Sequence, residues 1–362
     1  MRENKFSWKQ ILFPYFSVMH MFPLDSTVST RRLSACFNHT SSTYKFYWFL
    51  ALLDAIEVQQ KEVKKKQLFI GMISNAWYTV NYFNVSFGQQ DLIQKTVKSI
   101  KLLEHIAIDE DRAIILQKLL KSKNIEVKKL LMHFDKQVPH RFLSPWYSGK
   151  NKREVYNLSQ AEIESPIYKL YNDKIVILPA WYNYLQKHIR ILRDYVYWNL
   201  SLFLQVRNPN VPDIPNKIIK PAKRNSLHKQ RKFWDHVIKK RGPLRCIYTG
   251  KELTKDLYHV EHFVPYSFVS HDQVWNLIPA DVNFNMIKSN KLPPLKEFFE
   301  PFYQMQSLAL DVYLKESRRE ILLEDYLHIE TNIENGLSKK KLFSVINPLV
   351  TIAANNGFEF LK

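Results

Sequence analysis

An acid and a histidine stand side by side at Glu261-His262, and Asn276, Asn285 and Lys288 follow within one short stretch. Hydrolysing a phosphodiester at neutral pH takes a base to deprotonate water and a divalent cation to neutralise charge on the phosphate and the leaving oxygen. An imidazole offers the first function, and a carboxylate can hold the second. Neighbours on an extended strand point to opposite faces. The pair is therefore expected at a strand end, where Pro265 and Ser267 open a loop. The amide oxygen of Asn285 is a hard ligand suited to Mg²⁺ or Mn²⁺ beside Glu261, with Asn283 as the competing choice. Lys288, one turn further on, is expected to face the phosphate. The plain alternative for His262 is a hydrogen-bonded core histidine, and for Glu261 a solvated charge at a strand end. His259 and His271 lack any such company and are expected to be structural or surface residues. Trp275, Phe263 and Phe268 are expected to be core.

Holding these groups together requires a strand at 257–262, a loop to residue 275, a short strand at 276–279 and a helix over 281–289. This order and its polar positions resemble the HNH, or ββα-metal, endonuclease family. The resemblance rests on the acidic-His pair before Pro265 and Ser267, on Asn276 fourteen positions after His262, on Asn285 nine positions later, and on Lys288-Ser289 beyond. The HNH domain of RNA-guided CRISPR effectors shows the same spacings. The resemblance implies that His262 is the general base, Glu261 and Asn285 bind the metal, and Asn276 fixes the loop. It is the family spacing that selects Asn285 over Asn283. Cleavage would leave 5′-phosphate and 3′-hydroxyl ends. Residues 42–48 and 139–143 are also similar to a subgroup of bacterial HNH proteins.

Two features depart from the family. The acid is Glu rather than Asp, one methylene longer, and only Cys246 remains of the paired zinc-knuckle cysteines. No structural zinc is expected, and the turn over 246–253 is expected to rely on packing, with Cys246 a small buried residue.

Between Lys217 and Arg245 the chain carries Lys220, Lys223, Arg224, Lys229, Arg231, Lys232, Lys239, Lys240 and Arg241 against the single acid Asp235. A strongly basic helix is expected over 226–240. Such runs are usually solvated faces, yet this one adjoins the chemical motif. Lys229, Arg231, Lys232, Lys239 and Lys240 are therefore candidate phosphate contacts, as is Arg141 further upstream.

The wider chain frames the motif. Its 362 residues hold 53 Lys plus Arg and 34 Asp plus Glu, a formal charge of +19 that favours an anionic partner such as DNA. A 46% hydrophobic share excludes a mainly disordered chain, and only 7 glycines favour helix. No phosphate-loop or dinucleotide-binding glycine pattern occurs, so any ATPase or sensor would be a separate subunit. Two cysteines, no apolar run long enough for a bilayer and no signal-peptide pattern point to the cytoplasm and away from membranes. Apolar periodicity predicts helices over 44–66, 67–82, 91–107 and 109–121, a hairpin within 167–178, and a long helix after Pro179 ending near 208–210. The expected fold is mainly α with a small α+β module. It comprises a helical N-terminal domain (1–208), a basic Pro-rich linker (209–225), the ββα-metal module (226–295) and a helical C-terminal segment (296–362). The leading expectation is a metal-dependent DNA endonuclease in bacterial restriction or anti-phage defence. The alternatives are a nucleic-acid-binding subunit with a degenerate HNH fold and an RNase effector.

Overall fold

The computed structural model describes residues 22–38, 40–219, 226–316 and 320–362, with the side chain of Asn285 also outside the description. The chain divides into two compact units. One is built from residues up to Trp77 with Phe87–Phe203, and the other from Tyr78–Ser86 with Leu204–Lys362. Among the described residues helices dominate and three small sheets join them, a mainly α fold carrying a small β module.

In the first unit, helix α1 (Tyr44–Glu57) buries Phe46 through Leu53, then Ala55 and Ile56. A helix apolar on all sides belongs in the middle of a core. It crosses α2 (Lys65–Asn81) so closely that a Cβ on Gly71 would lie 2.8 Å from the Ala51 Cβ. Its N-terminus is fastened by Asp91. Oδ2 of that residue accepts from the Thr43 amide at 2.6 Å and from Thr43 Oγ1 at 2.7 Å, while Oδ1 caps α3 (Leu92–Leu103) through the Ile93 amide. Asp111 caps α4 (Arg112–Lys121) in the same way.

The single helix predicted over 44–66 is not what forms. The chain leaves α1 at Glu57, turns through Gln59 at φ 61°, and gives Glu62–Lys64 (β1) to a sheet. The apolar period stops after Ile56, and Val63 alone is buried in β1, an alternation that suits a strand. The predicted hairpin supplies the partners: β2 (Tyr168–Leu170) and β3 (Lys174–Ile177), in the antiparallel order β1-β3-β2. Around it lie α5 (Val138–Phe142), α6 (Lys152–Gln160), which opens with an Asn151/Glu154 capping box, and the long α7 (Pro179–Arg207). Helix α7 kinks at His188, and Leu185, Leu192, Val196 and Leu200 are its buried stripe.

The second unit holds the motif. The basic helix forms as α8 (His228–Arg241), with Phe233, Trp234, Val237 and Ile238 facing inward. A short hairpin follows, β4 (Leu244–Arg245) with β5 (Glu252–Leu253), then the antiparallel pair β6 (His259–His262) and β7 (Leu277–Ala280) and helix α9 (Val282–Lys288). Helices α10 (Leu295–Lys315) and α11 (Lys339–Asn355) lie in the same unit. Phe302 of α10 stacks on Phe263 at 3.9 Å, Tyr313 stacks on Phe233 at 4.6 Å, and Phe358 packs edge-on against Phe268. Phe263, Phe268 and Trp275 are all buried. Among the described residues no helix is long and apolar enough to cross a membrane.

Candidate active site

The β6–β7 register sets Glu261 opposite Ile278 and His262 opposite Leu277. Glu261 and His262 are 9% and 4% exposed, so each needs a polar partner. The His262 ring packs against Tyr266, and its Nε2 lies 3.0 Å from Asp272 Oδ1. Glu261 receives a hydrogen bond at Oε1, 2.9 Å long, from Lys288 Nζ, which also donates to the His262 carbonyl at 2.7 Å. One ammonium thus ties the carboxylate of one residue to the backbone of the next.

The loop between the strands is held at several points. The Asn276 amide brackets Val264, accepting from its N–H and donating to its carbonyl, both at 2.9 Å, and the Phe263 amide donates to the Asn276 carbonyl at 2.8 Å. Gln230 of α8 donates to the Asp272 carbonyl at 2.9 Å, and Asp325 accepts from the Val274 amide at 2.7 Å. Gln306 of α10, wholly buried, donates to the carbonyls of Val274 and Leu277 and accepts from Tyr326. The segment beyond residue 295 therefore buttresses the loop that carries Asp272.

Electrostatics follow burial. Desolvation pulls the Lys288 ammonium below its ordinary pKa, with the Glu261 carboxylate opposing that pull. His271, beside Asp272, is pushed down to about 4 by burial first and by His262 second, so its ring is neutral at pH 7. The Tyr248 hydroxyl is buried without a hydrogen-bond partner, and burial, then the charge on Glu261, raises its pKa.

Lys288 does not present its charge outward as predicted. It is 0% exposed, because an ammonium enclosed by the fold must find a counter-charge and Glu261 is the one in reach. Arg231 is also otherwise engaged. Its guanidinium lies 4.7 Å over the Tyr258 ring and donates to the carbonyls of Tyr258 and Lys255, so it braces α8 against the β6 approach rather than standing free for phosphate. Lys240 pairs with Glu316 at 2.5 Å while staying partly open. Lys229, Lys232 and Lys239 are exposed; Lys220, Lys223 and Arg224 lie outside the described residues. Asn283 is exposed, its amide bonded to Asp281, and Asn285 stands one turn before Lys288 in α9. The Asn285 side chain is outside the described residues. Asp272 was missed in the sequence. The only cue there is an acid ten positions after His262, inside a loop whose path no periodicity sets.

Upstream, Cys246 is buried and its Sγ accepts from the Asp281 amide at 3.4 Å. The turn between β4 and β5 closes with the Cys246 amide on Lys251 O and the Gly250 amide on Cys246 O, both at 2.8 Å. Tyr248 stacks on Phe284 at 4.6 Å and packs on Phe298 at 5.0 Å. This turn opens a stretch, residues 246–294, that matches the family model described as HNH endonuclease. The chain contains an HNH endonuclease domain. No curated protein and no solved structure compared with the chain matches it. The HNH match takes in Glu261, His262, Asp272, Asn276, Asn285 and Lys288 together, and it marks the protein as a nuclease in the general sense. HNH nucleases typically use a divalent metal. Among the described residues no group of three His, Cys, Asp or Glu is placed to hold one. The carboxylate of Glu261 is nonetheless a hard oxygen donor of the right kind, and it already holds one positive charge at Oε1.

Proposed function

We propose that the HNH domain hydrolyses phosphodiester bonds in DNA, with His262 as general base and Asp272 orienting it. The observation that carries this reading is the 3.0 Å contact between His262 Nε2 and Asp272 Oδ1. A proton on Nε2 directed at the carboxylate leaves Nδ1 as the basic nitrogen, able to take a proton from water. Asp272 then stabilises the imidazolium that forms. Glu261 and Asn285 would hold a divalent cation, Mg²⁺ or Mn²⁺, which when bound neutralises charge on the phosphate. Asn276 keeps the loop closed, so that His262 and Asp272 meet without rearrangement. Lys229, Lys232 and Lys239 on the outer face of α8 would grip backbone phosphates without reading bases. By analogy with the HNH family, the setting would be bacterial restriction or anti-phage defence with a separate ATPase or sensor subunit, and the formal charge of +19 suits a DNA partner.

Supercoiled plasmid incubated with wild type, His262→Ala and Asp272→Asn in Mg²⁺ tests this. Cleavage by wild type and its loss in both variants is the expected result. Wild-type rates in His262→Ala would remove the histidine from the mechanism, and cleavage of a matched RNA in preference to the DNA would reassign the substrate.

A further inference from the structure

The two segments outside the HNH motif that carried the family resemblance, around residues 42–48 and 139–143, converge in the first unit. They wall a cavity of ≈ 460 Å³. Its cations are Lys45 on α1 and Arg141 on α5, and His133 also lines it. Its polar lining includes Ser42, Gln90 and Ser144. Among the described residues no carboxylate lines it. The nearby Asp91 is 4% exposed and caps α1 and α3 through the Thr43 and Ile93 amides. Among the described residues, neither Lys45 nor Arg141 makes an ion pair with an acid.

Like charges of this kind are costly together, and burial first, then the charge on Arg141, lowers the pKa of the half-buried Lys45. An isolated folded chain gains nothing from holding two unpaired cations over one cavity. A bound anion would relieve the repulsion and give the half-buried Lys45 the counter-charge it lacks. The volume exceeds what inorganic phosphate fills and lies in the range of small-molecule sites, roughly 300–1,000 Å³. Hydroxyls and side-chain amides supply both donors and acceptors for a polar remainder, while Leu92 and Val138 offer apolar surface.

We propose that this cavity binds a phosphorylated small molecule of nucleotide size, with its phosphate held between Lys45 and Arg141. The site lies wholly within the first unit, and its existence does not depend on the nuclease reading.

Calorimetric titration of the full chain with AMP, ATP, inorganic phosphate and a short 5′-phosphorylated single strand tests it. AMP or ATP is expected to bind at one site per chain and more tightly than inorganic phosphate. Arg141→Gln, a change at an exposed position, and Lys45→Met should each weaken that binding about tenfold or more, the scale of a lost charge-assisted hydrogen bond. Lys128→Gln, another exposed cation of the same unit, should leave it unchanged and so exclude general attraction to a basic chain. Four results would overturn the proposal: no nucleotide binding at millimolar concentration, undiminished affinity in Arg141→Gln, equal affinity for inorganic phosphate and AMP, or binding of the oligonucleotide alone.

Discussion

Replacing Lys288 by Met leaves the Glu261 carboxylate, whose side chain is 11% exposed, without the ammonium that lies 2.9 Å away. Methionine fills much of the same volume, so the main loss is charge. Breaking a buried pair by removing one partner typically costs about 3–5 kcal/mol, and the slight opening at Glu261 favours the lower end. For a unit of this size, ~3 kcal/mol is a fall of roughly 6–12 °C in melting temperature. Scanning calorimetry in EDTA should show that fall. Adding a divalent cation should then restore most of it, because ligand at a hundred times its Kd contributes about 2.7 kcal/mol. Wild type should respond less, since the cation must there compete with Lys288 for the same carboxylate. The double variant Glu261→Gln, Lys288→Met removes both charges. It should be more stable in EDTA than Lys288→Met alone and should show no cation response. A loss under about 1 kcal/mol for Lys288→Met in EDTA, or equal cation responses in the single and double variants, would refute the reasoning.

His262→Ala should lower cleavage by ~10² to 10⁴ with duplex affinity nearly intact, as read by single-turnover kinetics beside filter binding. Exchanging Lys232 and Lys239 for Ala should flatten the salt dependence of DNA binding by up to about two units of log-log slope, and an unchanged slope would place α8 away from the duplex. His271, with its folded pKa lowered from 6.5 to about 4, binds its proton more readily in the unfolded chain, so stability is lost as pH falls from 6.5 towards 4. His271→Gln should reduce that loss in urea titrations at pH 7 and pH 5.

The strand-loop-strand-helix order was legible because short apolar runs bounded by Pro265 and Ser267 mark the strands, and because the spacing of the polar positions resembles that of the HNH family. The structure places β6, β7 and α9 within two residues of the predicted bounds, and the Asn276 amide on the loop backbone. Asp272 was not legible, since its approach to His262 depends on Gln230, Gln306 and Asp325, which are remote in sequence. The direction of Lys288 was misread for a related reason. Position on a helix says which face a side chain leaves from, but only the packed neighbours decide whether water or a carboxylate receives its charge. The end of α1 was hidden because a strand of three residues has almost no period of its own, and β1 exists only through its pairing with β3. Arg231 looked like one cation in a row, whereas the ring of Tyr258 and two carbonyls had already taken it.

The turn that opens the HNH domain is fastened by Tyr248 against Phe284 and Phe298 and by backbone bonds around Cys246. Those contacts have no affinity for a chelator. Stripping divalent ions from this protein should therefore silence its chemistry while leaving the hairpin shut, so the loss can be reversed by adding the ion back, with no refolding. Where a knuckle depends on coordinated metal, the same treatment would dismantle the scaffold along with the site, and inactivation could not be told from unfolding. Here the two events should be separable, and a titration of activity against free metal, run beside a melting curve, would check it.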